Sequence, residues 1–71
     1  MSDNINPVTV NLSDREFKVL EEMSRQKDMS KSAVMRHALR MFQIIDIRIS
    51  KGERLIFELV ATGEKSELMV L

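Results

Sequence analysis

The chain has 71 residues, with eleven basic and eleven acidic side chains, one histidine and no cysteine. A domain of this size buries too little surface to be stable alone, and it has neither a disulfide nor the ligands of a zinc site, so self-association is predicted. The balanced charge gives no sign of a polyanionic partner, while the lack of a long apolar run or a signal peptide predicts a cytoplasmic protein without membrane contact.

Residues 7–12 are predicted to form a short β-strand after a flexible arm over residues 1–6. Apolar and polar side chains alternate here, β-branched residues are frequent, and Pro7 suits the start of a strand. One face of this strand carries Val8, Val10 and Leu12, and the other carries Thr9 and Asn11. The neighbour that such a strand needs is predicted to be the same strand of a second copy.

The next segment is predicted to be an amphipathic helix. Ser13 and Glu16 match a capping box, in which each side chain accepts a hydrogen bond from the backbone N–H of the other residue. The helix is expected to run from about Asp14 to about Lys27. Its apolar stripe consists of Phe17, Leu20 and Met23, so it buries one side only.

A second, longer helix is predicted after a break at Asp28 and Met29. Ser30 is the expected N-cap, and the helix runs to about Ser50, with Gly52 in the left-handed position beyond its end. Two apolar stripes cover more than half of its circumference: Val34, Ala38, Met41 and Ile45 in one, Met35, Leu39 and Phe42 in the other. The first helix can cover only one side, so a second chain is predicted to cover the rest.

The last segment, residues 51–71, is predicted to be a β-hairpin extension, with strands at RLIFELV and SELMVL around the turn ATGEK. An isolated hairpin is marginal in water, so we expect it to lie on the dimer, over Ile44 and Ile47. Residues 45–49 also alternate as a strand would, but Lys51 and the glycine that follows favour a continuous second helix.

The sequence lacks the constellations that catalysis needs. It contains no Gly-rich phosphate loop, no paired carboxylates at a useful spacing, and no nucleophile with a neighbouring base. His37 has no second histidine or cysteine to share a metal ion, and it is predicted to be a surface residue. We therefore expect a binding protein without cofactor or metal, not an enzyme.

The order of strand, capped helix, short turn and Ser-capped helix resembles the ribbon-helix-helix family of DNA-binding proteins over residues 7–43. PVTVNL is similar to the ribbon of that family, SDREFKVLEEMSRQKD to its first helix, and MSKSAVMRHALRMF to its most recognisable stretch. In the family two ribbons pair antiparallel and enter the DNA major groove. The resemblance implies a mainly α fold with short β, namely an intertwined homodimer with residues 7–50 as the dimerisation and DNA-binding domain and the hairpin as an extension.

The resemblance also implies particular DNA contacts. Pro7, Thr9 and Asn11 would contact bases, and Ser30, Lys31 and Ser32 would contact phosphates. Asn can bond adenine in two places and Thr can touch a thymine methyl group, while free N–H groups at a helix start favour an anion. If the resemblance is set aside, the pattern predicts only solvated strand residues at Thr9 and Asn11. It likewise predicts only a helix cap at Ser30 and a surface lysine at Lys31.

Three functions are compatible with these features. The first is a homodimeric, sequence-specific transcription regulator that represses by occupying an operator in double-stranded DNA, with higher assembly on DNA left open. The second is an antitoxin whose hairpin, residues 51–71, binds a protein partner. The third is an interaction dimer that has kept the fold without binding DNA, which the zero net charge and the non-basic ribbon favour.

Overall fold

The computed structural model describes residues 5–70 and is mainly helical with short β structure, as the sequence predicted. Its elements in chain order are α1 (Asp14–Lys27), α2 (Lys31–Ser50), β1 (Leu55–Leu59) and β2 (Glu64–Leu68). Most of the predicted arm, residues 1–4, lies outside the described residues, and so does Leu71 at the end of the hairpin segment. The chain divides into two units, one up to Val34 and one from Met35 onward.

The segment before α1 differs from its prediction. Residues 7–12 form no strand in the single chain, although the sequence pattern predicted one. A strand exists only through hydrogen bonds to a neighbour, and the predicted neighbour is a second copy of this segment. The two strands of the described residues pair only with each other. Pairing of residues 7–12 between copies therefore stays a prediction.

Both ends of α1 are fixed by local hydrogen bonds. The Ser13 hydroxyl oxygen accepts from the Glu16 N–H at 3.1 Å, and the Glu16 carboxylate accepts from the Ser13 N–H at 2.9 Å. This confirms the predicted capping box. At the other end Asp28 has φ 51° and ψ 48°, a left-handed conformation that stops the helix, and its N–H donates to the Arg25 carbonyl at 3.3 Å.

The second helix also matches its predicted bounds. The Ser30 hydroxyl oxygen accepts from the Ala33 N–H at 3.0 Å, as an N-cap does. At the far end Gly52 has φ 91° and donates its N–H to the Ile49 carbonyl at 2.9 Å, a geometry that residues with a Cβ rarely adopt. The helix continues through residues 45–49, so the alternative strand reading of that stretch is wrong.

The two strands form an antiparallel hairpin in which Leu55 lies opposite Leu68 and Leu59 opposite Glu64. The predicted hairpin is confirmed, but its second strand begins at Glu64, two residues earlier than the sequence indicated. Gly63 explains the difference, because its φ of 75° and its N–H bond of 2.7 Å to the Leu59 carbonyl close the turn before Glu64.

Burial is concentrated at one position. Val34, which is 5 % exposed, is the only buried hydrophobic side chain among residues 5–70. A chain that is 44 % hydrophobic therefore leaves nearly all of its large apolar side chains at least partly open to water. Neither described helix is long and apolar enough to span a membrane.

Candidate nucleic-acid interface

The predicted base-contacting residues lie in the segment before α1. Pro7, Thr9 and Asn11 are all exposed, so the hydroxyl and the amide are accessible. On the alternate positions Val8 is 79 % exposed and Val10 is 52 % exposed. The apolar side of the segment is thus open at Val8 and Val10, and only Leu12, next to α1, is half-buried.

The turn between the two helices is held by Ser24, which the sequence analysis did not single out. Its hydroxyl donates to the Met29 carbonyl, and its carbonyl accepts from the Met29 N–H at 3.0 Å. Both residues are half-buried. Together with left-handed Asp28, these bonds fix the direction in which the chain enters α2. Ser24 sits inside an ordinary amphipathic pattern, so only its contact reveals this role.

The start of α2 carries the predicted phosphate-contacting residues. The hydroxyl oxygen of Ser30 already accepts from Ala33, so this residue acts as a cap. The backbone N–H groups of Lys31 and Ser32 lie in the first turn, where no intrahelical acceptor is available. The first turn contains no acidic residue, and both side chains are exposed. The two N–H groups can therefore donate to an anion, which the positive end of the helix dipole also attracts.

Lys31 also contacts α1. Its Nζ lies 5.8 Å from the centroid of the Phe17 ring, a cation–π distance that the sequence analysis missed. Within residues 5–70 Lys31 takes part in no salt bridge. By contrast, Arg25 is engaged with Glu22, which also accepts from Gln26 at 2.9 Å. The lysine is therefore positioned by an aromatic ring without having its charge neutralised by a carboxylate.

A shallow groove of mixed charge lies beside this lysine. Its lining residues are Lys18, Glu21, Glu22, Ser24, Arg25 and Lys31. The lining contains two acidic and three basic groups, and the Arg25 and Glu22 side chains pair with each other. Such a surface does not favour a polyanion over a large area. Within the first unit, the exposed N–H donors suited to an anion therefore lie at the start of α2.

The second unit contains an apolar groove of about 430 Å³ between the C-terminal half of α2 and the beginning of the hairpin. Ile44 lines it together with Leu55 and Ile56, whereas Ile47, which was expected under the hairpin, does not line it and is 46 % exposed. An ion pair at the rim joins Arg48 and Glu53 at 2.8 Å. It lowers the pKa of the Glu53 carboxyl and raises the pKa of the arginine.

The two predicted sets of DNA-contacting residues occupy opposite ends of α1 in the sequence. Residues 7–12 precede the helix and Ser30 to Ser32 follow it, and no hydrogen bond or ion pair joins the two sets within the described part of the chain. The same residues 5–70 contain no group of three or more His, Asp or Glu side chains that could hold a metal ion. No family model, curated protein or solved structure matches the chain.

Proposed function

We propose that this chain is one protomer of a homodimeric, sequence-specific DNA-binding regulator that represses transcription by occupying its operator. In this proposal residues 7–12 of two copies pair antiparallel and enter the major groove, which is wide enough for a two-stranded ribbon. Thr9 and Asn11 read base edges, with Pro7 at the rim.

The observation that carries the proposal is the exposure of the apolar side chains on the N-terminal segment and α2. Val8, Val10 and Leu39 are between 52 % and 79 % exposed in the single chain. A second copy related by a twofold axis gives the N-terminal segment a strand neighbour and gives α2 an apolar partner at the same time. Turning Val8 and Val10 toward that shared core places Thr9 and Asn11 on the opposite face, because side chains alternate along a strand.

Phosphate contacts at the start of α2 complete the proposed interface. The N–H groups of Lys31 and Ser32, together with the lysine side chain, would bind a backbone phosphate and set the register of the ribbon in the groove. With a net charge of zero, the protein relies on such local donors more than on long-range attraction to DNA. We therefore expect few phosphates to be neutralised and a shallow dependence of affinity on salt.

The proposal is tested by selecting bound sequences from random double-stranded DNA and measuring affinity for the selected site. Asn11→Ala should weaken specific binding by about 1–3 kcal/mol and relax the preference at one base pair in each half-site, because a bidentate base contact is lost. Lys31→Ala should instead weaken binding to all sequences alike. It should also make the logarithm of the affinity depend less steeply on the logarithm of the salt concentration.

Gln43→Ala provides the matched control, since it removes an exposed amide from α2, outside the proposed reading surface. Its selected sequence and affinity should equal those of the unaltered protein. Identical footprints for Asn11→Ala would remove this residue from the reading surface. Absence of any DNA binding at low salt would overturn the proposal and leave an interaction dimer.

A further inference from the structure

The two edges of the hairpin differ in the number of charged side chains that their strands carry. Each strand has one neighbour among residues 5–70, so each presents one open edge. β2 carries three charged side chains in five residues, whereas β1 carries only Glu58 among four apolar residues. Charged side chains discourage strand addition at an edge, so β2 is protected and β1 is not. A two-stranded hairpin is also marginal in water, and further strands would stabilise it.

We propose that β1 pairs antiparallel with β1 of a second copy of this chain. The two hairpins then form a four-stranded sheet in the order β2, β1, β1, β2, with the twofold axis passing between the two Ile56 residues. This contact is separate from the proposed ribbon and does not depend on DNA binding.

Charge complementarity selects this arrangement. Ile56 and Glu58 share one face of β1, and Arg54, immediately before the strand, continues the alternation on that face. An antiparallel copy reverses their order, so Arg54 lies opposite Glu58 of the second copy on both sides of the isoleucine pair. Opposite charges placed directly across two strands stabilise the pairing.

The charge pairs already present in the hairpin extend this pattern. Arg54 contacts Glu67 at 3.4 Å, and Lys65 contacts Glu58 at 3.7 Å, all with exposed side chains. In the four-stranded sheet a row runs from Lys65 through Glu58 to Arg54 of the second copy, and it ends at Glu67 of that copy, the diagonal neighbour of Arg54 that lies opposite Ile56. The signs in this row alternate, so every charge has an opposite neighbour.

The other face of the hairpin supports the same register. It carries Leu55, Phe57, Leu59 and Leu68, of which Phe57 is 59 % exposed and Leu68 is 48 % exposed. In the proposed register Leu55 lies opposite Phe57 of the second copy, so apolar side chains meet. A slip of one residue would place apolar faces against charged ones. A slip of two would set Ile56 opposite Glu58 and leave Arg54 opposite Val60.

Disulfide formation tests the register directly, because the chain has no native cysteine. Ile56→Cys should form an intermolecular disulfide on mild oxidation of the full-length protein without DNA, since directly opposite residues have Cα atoms about 4.5–5.5 Å apart. Phe57→Cys places its sulfur at a diagonal position about 7–8 Å from its copy, and Ser66→Cys lies on β2. Both controls should crosslink at least tenfold more slowly than Ile56→Cys.

A charge exchange in the Ile56→Cys background provides a second test. Arg54→Glu alone or Glu58→Arg alone sets like charges opposite each other and should slow crosslinking roughly tenfold. The double variant restores opposite charges across the twofold axis and should recover the rate. The double variant does not restore the ion pairs of residue 54 with Glu67 and of residue 58 with Lys65 within one hairpin. A recovered crosslinking rate therefore reports pairing between the two copies.

The proposal is overturned if Ile56→Cys fails to crosslink, as it would if a different protein covered β1. Equal crosslinking rates at all three cysteine positions would indicate random collisions and would overturn it as well. So would a double charge variant that crosslinks as slowly as the single variants. Because these measurements contain no DNA, loss of operator binding and loss of hairpin pairing are distinguished.

Discussion

At the residue scale, Ser13 and Glu16 set the start of α1 and make the stability of this helix depend on pH. Their two reciprocal hydrogen bonds start α1 immediately after the N-terminal segment. The bond from the Ser13 N–H is the main reason that the pKa of the Glu16 carboxyl lies below its usual value. The same residues therefore position the proposed ribbon and respond to acid.

Ser13→Ala should lower the free energy of unfolding by about 1 kcal/mol, because one N–H at the start of α1 loses its acceptor. The effect is measured as a lower urea midpoint with an unchanged slope. Ser66→Ala, a change of the same type in the middle of β2, is the matched control and should leave the helical signal almost unchanged. An unaltered midpoint for Ser13→Ala would contradict a stabilising cap.

The pKa of Glu16 is lower in the folded than in the unfolded protein, so its contribution to the free energy of unfolding is present at neutral pH. That contribution is lost as the pH falls from about 5 through the depressed pKa. Glu53 has a pKa shifted in the same direction and adds to the loss. Glu16→Gln keeps an acceptor without a titrating charge, so its helical circular dichroism should fall less on acidification. Identical pH profiles for the two proteins would refute this assignment.

At the element scale, Asp28 shapes the turn between α1 and α2 at a cost in stability. Its left-handed conformation ends α1 and sets the entry into α2, yet only glycine adopts this conformation without steric cost. The carboxylate also lies at the negative end of the α1 dipole, which is unfavourable for an acid. The turn is therefore expected to be less stable than the same backbone with glycine or asparagine at this position.

Asp28→Gly should raise the free energy of unfolding by about 0.5 kcal/mol. The gain from relieving the left-handed conformation exceeds the loss that comes from the greater freedom of glycine in the unfolded chain. Asp28→Asn removes only the charge and should give part of that gain. Asp28→Val forces a β-branched side chain into the left-handed region and should destabilise the protein by about 1–2 kcal/mol. Urea midpoints of the three variants check this order, and a stabilising valine would disprove the conformational argument.

At the scale of the whole molecule, the proposed homodimer requires a second copy to cover apolar side chains that the single chain leaves open. Val34 is the only buried hydrophobic side chain among residues 5–70, whereas Leu39 and Met41 on α2 are 70 % and 65 % exposed. Burial of such a side chain is worth about 1.5–3 kcal/mol. If the second copy supplies this burial, folding and association should occur together.

Leu39 provides a test of this coupling, because it is 70 % exposed on α2 in the single chain. Leu39→Asp should abolish the dimer and most of the helical signal, since burial of a leucine is worth about 2 kcal/mol in each protomer and a buried carboxylate adds a further cost. For the unaltered protein, the thermal midpoint should rise with protein concentration. Sedimentation and circular dichroism measure both effects.

Arg36→Ala, which removes an exposed side chain from the same helix, is the control and should keep both the dimer and the helix. A concentration-independent midpoint, or a Leu39→Asp variant as helical and associated as the unaltered protein, would contradict coupled folding. Either result would also remove the twofold core on which the proposed ribbon depends.

The amino-acid sequence by itself determined the features that depend on near neighbours along the chain. The capping box of Ser13, the serine start of α2 and the glycine beyond its end were predictable, because each requires only bonds within a few residues. The existence of the hairpin followed from alternation, but the start of β2 did not, since the geometry of Gly63 decides where pairing resumes.

Only the tertiary structure decided which side chains meet and which stay open. Examples are the contact of Lys31 with the Phe17 ring and the two Ser24 bonds to Met29. Another is the burial of Val34, the only buried hydrophobic side chain among residues 5–70. Periodicity does not specify such contacts. Pairing of residues 7–12 stays a prediction, because a strand needs hydrogen bonds from a neighbour and the two strands within residues 5–70 pair only with each other.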